Sequence, residues 1–516
     1  MSQSPFSQRA SGLLLHLSSL ESKFSIGDLG PGARQFVDFL EKAGQRWWQM
    51  LPIHPAGGGD SPYDSPSAFA GNELFISPEE LVDDGLLSAE DIAGQEDVLR
   101  QSLRRETSFS EARAQKNPLL RMAFAHFRQK KLLQSAYEKY LEENQSWVWD
   151  WALFRALKRS APAESWTSWE PTLRDRQQEA LDTAHRTHQD EVHYAVFLQF
   201  IFDRQWSALR KYAQDRGVQL LGDLPMFVSF ESVDVWANRE MFFLDEQGHR
   251  TVQAGVPPDY FSEEGQLWGN PLYRWDLMQK DGFSWWVDRL RRELKRFDGL
   301  RLDHFIAFSR YWEVPCPAET AKEGRFISTP GYELLERAGQ ELGGLPIVAE
   351  DLGLLTEEVE RLRDHFSLPG MKVLQFAFSP GAETYLPHHY PTNSFAYTGT
   401  HDNNTTRGWA EELFSKQEES KESTQEQENN ELDRLKAYAN IQSPDSAAGA
   451  LIRYAFASQA NVVIVPVQDI LNEDASQRMN IPGIATGNWR YRVQGTRLSS
   501  QLAEELHTLS AVTERR

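Results

Sequence analysis

Only one cysteine, Cys316, occurs in the 516 residues, which excludes an intramolecular disulfide framework and any multi-cysteine metal site. No apolar run reaches the length of a membrane span. The N-terminal stretch MSQSPFSQRASG has no apolar segment after its charge, so no secretory signal is expected either. Positive charge is also short: 54 Lys and Arg stand against 75 Asp and Glu, a formal net charge of −21. That balance argues against nucleic acid or an anionic membrane as a partner, whereas a neutral substrate is indifferent to it. There is no internal repeat at solenoid or propeller spacing. A soluble, cytoplasmic protein is the expectation, with its oligomeric state left open.

What the chain does have is apolar and aromatic material. Hydrophobic residues make up 40% and aromatic residues 12%, enough for a large core. The length could hold two to four ordinary domains or one barrel with insertions. Sixteen tryptophans exceed what a core alone asks for, and aromatic faces are a common platform for sugar rings.

The most informative stretch is FDGLRLDHFIAF, Phe297 to Phe308. A charged amphipathic helix, Trp285 to Arg296, leads into the Asp298-Gly299 break. A short apolar strand follows and ends in Arg301-Leu302-Asp303-His304. Helix, glycine turn and strand capped by charge at its C-terminal end is the pattern of a (β/α) barrel, whose strand C-termini face the reaction. Arg301 and Asp303, two apart, share a strand face. The pattern recurs in LPIVAEDLG, which ends in Glu350-Asp351, and in SFAYTGTHDNN, which ends in His401-Asp402-Asn403. Taken alone, the first segment is as well explained by a loop ion pair. Three carboxylates at three strand ends point instead to glycoside cleavage with retention. That chemistry needs a nucleophile and an acid/base about 5–5.5 Å apart, and a third carboxylate can offset oxocarbenium charge.

RLDHF, AEDLG and TGTHDN resemble, in this order, the 4-α-glucanotransferases of glycoside hydrolase family 77, the amylomaltases or disproportionating enzymes related to α-amylases. GLLLHLSSL, GDSPYDSPSAFAGN, GDLPMFV, GVPPDYFSEEGQLWGNPLY, RMNIPG and GNWRYR extend the resemblance over residues 12 to 492. It implies a (β/α)8 TIM barrel with helical insertions and no separate C-terminal β-domain. It also implies transfer of a 1,4-α-glucan segment to the 4-hydroxyl of an acceptor glucan or glucose through a covalent glycosyl-enzyme. In that scheme Asp303 is the nucleophile, Glu350 the acid/base and Asp402 the transition-state stabiliser. The substrate-binding residues would be Ser61, Tyr63, Asp223, Asp259, Tyr260, Phe261, Gln266, Trp268, Asn270, Arg301, His304, His401, Asn480 and Pro482. No metal or cofactor is implied, and the histidines lack the company of a zinc site. The partners expected are maltooligosaccharides and other 1,4-α-glucans. The chain departs from the family in carrying Gly58 where members often have a tyrosine.

Barrel strands are expected at Leu13–Leu17, Trp47–Ile53, Gln219–Val228, before Asp303, before Glu350, at Met371–Phe378, Ser394–Thr400 and Asn461–Val467. Residues 79–187 read as a helical insertion walling one side of the cleft. Within it, Asn117-Pro118 opens one helix and Ser146 caps another, and Trp147, Trp151 and Phe154 form a core stripe. Residues 229–275 read as a loop insertion covering the site, with glycines that let the backbone fold over a ligand. Asp223, in an apolar strand, needs hydrogen-bond partners, either to orient a loop or to touch a sugar hydroxyl. The charged 411–435 segment reads as an exposed helix without an assigned role. Two other readings stand beside transfer: an α-glucan hydrolase using the same carboxylates, and a non-catalytic glucan-binding protein.

Overall fold

The computed structural model describes residues 4–93, 106–162, 164–258, 263–353, 355–421 and 431–516. In chain order the strands are β1 (Ala10–Leu14), β2 (Trp47–Gln49), β3 (Gln219–Leu224), β4 (Val252–Val256), β5 (Gln266–Pro271) and β6 (Gly299–Leu302). Then follow β7 (Arg310–Pro315), β8 (Arg325–Ser328), β9 (Ile347–Ala349), β10 (Gly370–Val373), β11 (Ser394–Tyr397) and β12 (Val462–Pro466). Eight of them close a parallel barrel in the order β1-β12-β11-β10-β9-β6-β3-β2, with helices between the strands. This is the (β/α)8 barrel expected, and its last strand is followed by helix rather than a β-domain.

The barrel strands are almost wholly buried, as parallel strands covered on both faces must be. Trp47 and Trp48 are core, and Gly12 on the neighbouring strand lets them fit. A methyl there would sit 2.3 Å from the Trp47 carbonyl oxygen. The strands are shorter than their apolar runs suggest. Gly370–Val373 is extended, but Leu374–Phe378 tightens into a 3-10 turn. The first strand begins at Ala10, and Leu17–Ser19 is likewise a 3-10 turn, so buried apolar composition continued past the strand ends.

Between β2 and β3 the chain is largely helical, including Phe109–Lys130, Val148–Ser160 and Gln189–Gln214. Two helix starts differ from the sequence reading. Pro118 lies inside Phe109–Lys130, because Ser108 caps that helix earlier through its hydroxyl and the Glu111 N–H. Trp147, not Ser146, is the N-cap residue of Val148–Ser160, and no side chain caps that end. The helix Ser284–Arg296 that feeds β6 turns part of its basic face inward. Arg292 pairs with Asp203 at 2.8 Å and donates to Asn144 at 3.1 Å, fastening the helical segment to the barrel.

Residues 229–275, expected as a loop, contain β4 and β5. These join β7 and β8 in a four-stranded antiparallel sheet ordered β5-β4-β7-β8. Of the glycines and prolines that suggested a loop, Gly248, Pro257, Pro258 and Gly265 lie outside the strands, Gly269 and Pro271 lie within β5, and Gly255 of β4 closely approaches the backbone of Gln266. The charged segment is helical at Thr406–Lys421 and Glu431–Ala439, and residues 422–430 lie outside the described residues. Among the described residues no helix is long and apolar enough to cross a membrane.

Candidate active site

Arg301 sits at the middle of the charge arrangement. It lies in β6 directly opposite Asp223 of β3 in the parallel register, and its side chain is 5% exposed. One guanidinium nitrogen, Nη1, donates to both Asp223 oxygens at 2.8 and 2.9 Å and to Asp303 Oδ1 at 2.9 Å. A buried cation needs such partners to offset its desolvation. Asp303 follows the end of β6, so its carboxylate is half-exposed at the barrel mouth with one oxygen held. Asp223 accepts a third hydrogen bond, from the Tyr63 hydroxyl at 2.7 Å. This barrel Asp therefore anchors both the arginine and the loop after β2.

Glu350 follows β9 directly. Its Oε2 accepts the backbone N–H of His304 at 2.7 Å, an N–H turned toward it by a left-handed backbone at His304, φ 50°. Burial pushes the Glu350 carboxyl up to about 8; Arg301 draws it down and the charge of Asp303 pushes it up. Such a group stays protonated at neutral pH and can act as a general acid. Asp351, its neighbour in sequence, points elsewhere. It accepts from Arg363 at 2.5 Å and from the Met371 N–H at 2.7 Å, and its carboxylate fills the space where a Gly370 side chain would be.

Asp402 sits beyond β11 and is steered by the chain after β12. Asn480 Nδ2 donates to its Oδ1 at 2.6 Å, Arg478 donates to its backbone oxygen at 2.5 Å, and His401 Nε2 lies 3.3 Å from its Oδ2. The His401 ring stacks on Tyr63, with centroids 5.2 Å apart and planes at 12°. His304 packs edge-on against Trp268 at 4.8 Å; burial holds its imidazole below the ordinary value, with Asp303 opposing.

These groups line one cleft of about 580 Å³. Twelve expected residues meet there: Ser61, Tyr63, Trp268, Asn270, Arg301, Asp303, His304, Glu350, His401, Asp402, Asn480 and Pro482. Asp223 lies just beneath, reaching the site through Arg301 and Tyr63. Gln266 and, among the twelve, Asn270 are committed to the protein. Gln266 stands outside the cleft lining and accepts from the Trp268 indole at 3.1 Å, while the Asn270 amide donates to the Val228 carbonyl at 2.9 Å. Asp259, Tyr260 and Phe261 lie outside the described residues. The sequence reading missed Trp489, Phe227 and Arg478. Trp489 lines the cleft beside Tyr63 and His401, with centroids 5.9 and 6.1 Å away. Its only signal was its place in GNWRYR; Phe227 had the same kind of signal in GDLPMFV.

Fold and cleft together define a carbohydrate-active (β/α)8 barrel. The family model described as 4-alpha-glucanotransferase, glycoside hydrolase family 77, matches residues 15–499. A 4-alpha-glucanotransferase of Thermus thermophilus is 42% identical, over 98% of this chain and 99% of the relative. The chloroplastic/amyloplastic 4-alpha-glucanotransferase of Solanum tuberosum is 41% identical, over 98% and 86%. The solved amylomaltase of Streptococcus agalactiae, in complex with acarbose, superposes with a TM-score of 0.90 at 34% identity, covering 98% of this chain and all of that one. The chain belongs to the 4-alpha-glucanotransferase family, glycoside hydrolase family 77. Its activity is transfer of 1,4-α-glucan segments, which is favoured over the hydrolase and the non-catalytic alternatives.

Proposed function

We propose that transfer proceeds by retaining double displacement, with Asp303 as nucleophile, Glu350 as acid/base and Asp402 as transition-state stabiliser. The observation that carries this reading is that Glu350, whose carboxyl is pushed up to about 8, lines the same cleft as a carboxylate, Asp303, that a single guanidinium holds by one oxygen. Glu350 gives its proton to the glycosidic oxygen as Asp303 attacks C1. The C1–O bond breaks and the leaving glucan departs carrying that proton. Because Arg301 occupies Oδ1, Oδ2 is the attacking atom. The Glu350 carboxylate then takes the proton of an acceptor 4-hydroxyl, whose oxygen attacks C1 and releases Asp303.

Asp402, fixed by Asn480, receives hydroxyls of the reacting sugar and strengthens that grip as positive charge develops at C1. His304 and His401 donate to the same sugar, and Trp268 and Tyr63 offer apolar faces to its C–H surface. Asp259, Tyr260 and Phe261 complete the cover in this reading. Residues 79–187 wall one side of the cleft, and residues 229–275 close over it. Contacts of Lys158, Ser165 and Trp166 with Phe230 and Glu231, at 2.5–3.1 Å, support that coupling of insertion and cover. Donors and acceptors are maltooligosaccharides and longer 1,4-α-glucans. The lone free thiol, Cys316, fits a cytoplasmic setting.

Transfer must compete with water for the covalent intermediate, and alignment of an acceptor can supply effective molarities of about 10⁵ M or more. Incubation with maltotriose should therefore give glucose and a ladder of longer maltooligosaccharides with little gain in reducing ends. A chromatogram of glucose and maltose alone, with reducing ends rising throughout, would refute the proposal.

A further inference from the structure

His401 lines a second, smaller cavity next to the cleft, of about 30 Å³. Four other residues of its wall each bury a polar atom that no protein group hydrogen-bonds: His16 Nδ1, Ser19 Oγ, Asn404 Oδ1 and Tyr491 Oη. Buried polar groups in folded proteins are nearly always satisfied, by protein or by ordered water, so four such atoms around one space call for a partner. A space of this size and polarity holds about two water molecules.

The surroundings leave those atoms little choice. His16 and Ser19 are pinned by a 3-10 turn in which the Ser19 N–H donates to the His16 carbonyl at 3.0 Å. Asn404 spends its amide nitrogen on Glu412 at 2.6 Å, which leaves Oδ1 as its remaining side-chain acceptor. His16 is 5% exposed, and burial holds it at about 3, with His401 acting in the same sense. It is therefore neutral and offers one donor and one acceptor. His401 meets Tyr63 and Asp402 on the cleft side, as described above.

We infer that this cavity is an internal water site joining His16, Ser19, Asn404 and Tyr491 to His401, and that His16 is a positioning residue. Through water it sets the tilt and tautomer of the His401 ring that faces Asp402 and the reacting sugar. The inference rests on the reading that His401 serves that sugar.

The test uses the full-length enzyme and maltotriose, with His16→Leu, His16→Gln, Tyr491→Phe and His401→Asn. A small misplacement of a site group can cost up to about a hundredfold. His16→Leu should lose about tenfold in kcat with KM within about twofold, and His16→Gln, which keeps a polar end, should recover most of it. Tyr491→Phe deletes one hydroxyl without changing shape, so it should lose less in the same sense and serves if His16→Leu does not fold. Nitrogen-15 spectra of labelled histidine should report one His401 tautomer in the parent and a changed one in His16→Leu. A high-resolution crystal structure of the parent should place water within hydrogen-bond reach of His16 Nδ1. A dry cavity, or parental kcat and tautomer in a folded His16→Leu, would overturn the inference. If instead His401→Asn is itself fully active, the role assigned to His401 fails first, and this inference falls with it.

Discussion

Replacing Asp303 by asparagine should lower the pKa of Glu350. The starting value is about 8, set mainly by burial, and the Asp303 charge is one of the forces holding it up. Two carboxylates at the retaining separation of about 5 Å, in an effective dielectric of about 20, repel by about 3 kcal/mol, or about two pKa units. The neutral amide of the Asp303→Asn variant removes that repulsion and leaves Arg301 paired with Asp223 alone, so the arginine's own pull on Glu350 acts undiluted in the same direction. The titration of Glu350 should therefore move to about 6 or below. It can be followed by carbon-13 NMR of glutamate-labelled enzyme, with Glu350→Gln identifying the signal. In the proposed mechanism, formation of the glycosyl ester neutralises Asp303 in the same way. The drop that the variant shows is then the change that turns the group from acid into base within one catalytic cycle. In the parent, kcat/KM should fall as pH rises through about 8, because the acid is being lost. A Glu350 that titrates in the Asp303→Asn variant where it does in the parent, or higher, would refute the reasoning.

Stability carries the same signature. A carboxyl whose folded pKa of about 8 lies above its unfolded value makes the folded state bind more protons between the two, so its contribution falls as pH climbs from about 4.5 to 8. Glu350→Gln removes that loss. It should raise the thermal midpoint at pH 9 by about 2 °C or more and leave it nearly unchanged at pH 4, and equal shifts at both would contradict the assignment. Trp268 is a different case, since it is 36% exposed on the cleft wall and adds little to the core. Trp268→Ala should weaken maltotriose use about fivefold, the worth of one aromatic contact, without lowering the thermal midpoint; a parental kcat/KM would remove it from the sugar-binding surface.

The barrel and its charged strand ends were legible because both depend on local rules. Read together, the short apolar runs closed by Arg301-Leu302-Asp303 and by Glu350-Asp351 point to barrel strands, and β6 and β9 end there. The misreadings are non-local. Pro118 looked like a helix start because proline is tolerated there, yet Ser108 offered a better cap, and tertiary packing carried the helix through. The sheet of β4, β5, β7 and β8 was invisible because β4 pairs with β7 across an intervening barrel strand, and pairings of that span leave no periodic mark. Trp489 was passed over for a similar reason. One tryptophan among sixteen gives no hint that its backbone, at φ 65°, turns it against Tyr63 and His401.

The register of two neighbouring strands also bears on how the site keeps its charge in the proposed mechanism. Asp223 opposite Arg301 makes a neutral pair, to which Asp303 adds one negative charge while Glu350 is protonated. When the glycosyl ester forms, Asp303 becomes neutral and Glu350 has given up its proton, so the four groups again sum to one negative charge. Positive charge develops at C1 in both half-reactions, and in both it meets the same net field. Without Asp223 the remaining three groups would sum to zero in both steps, so Arg301 would cancel the negative charge that Asp303, and then Glu350, presents to the sugar. The buried strand Asp beneath the cleft therefore keeps the arginine from cancelling the negative charge that the proposed two-step mechanism uses.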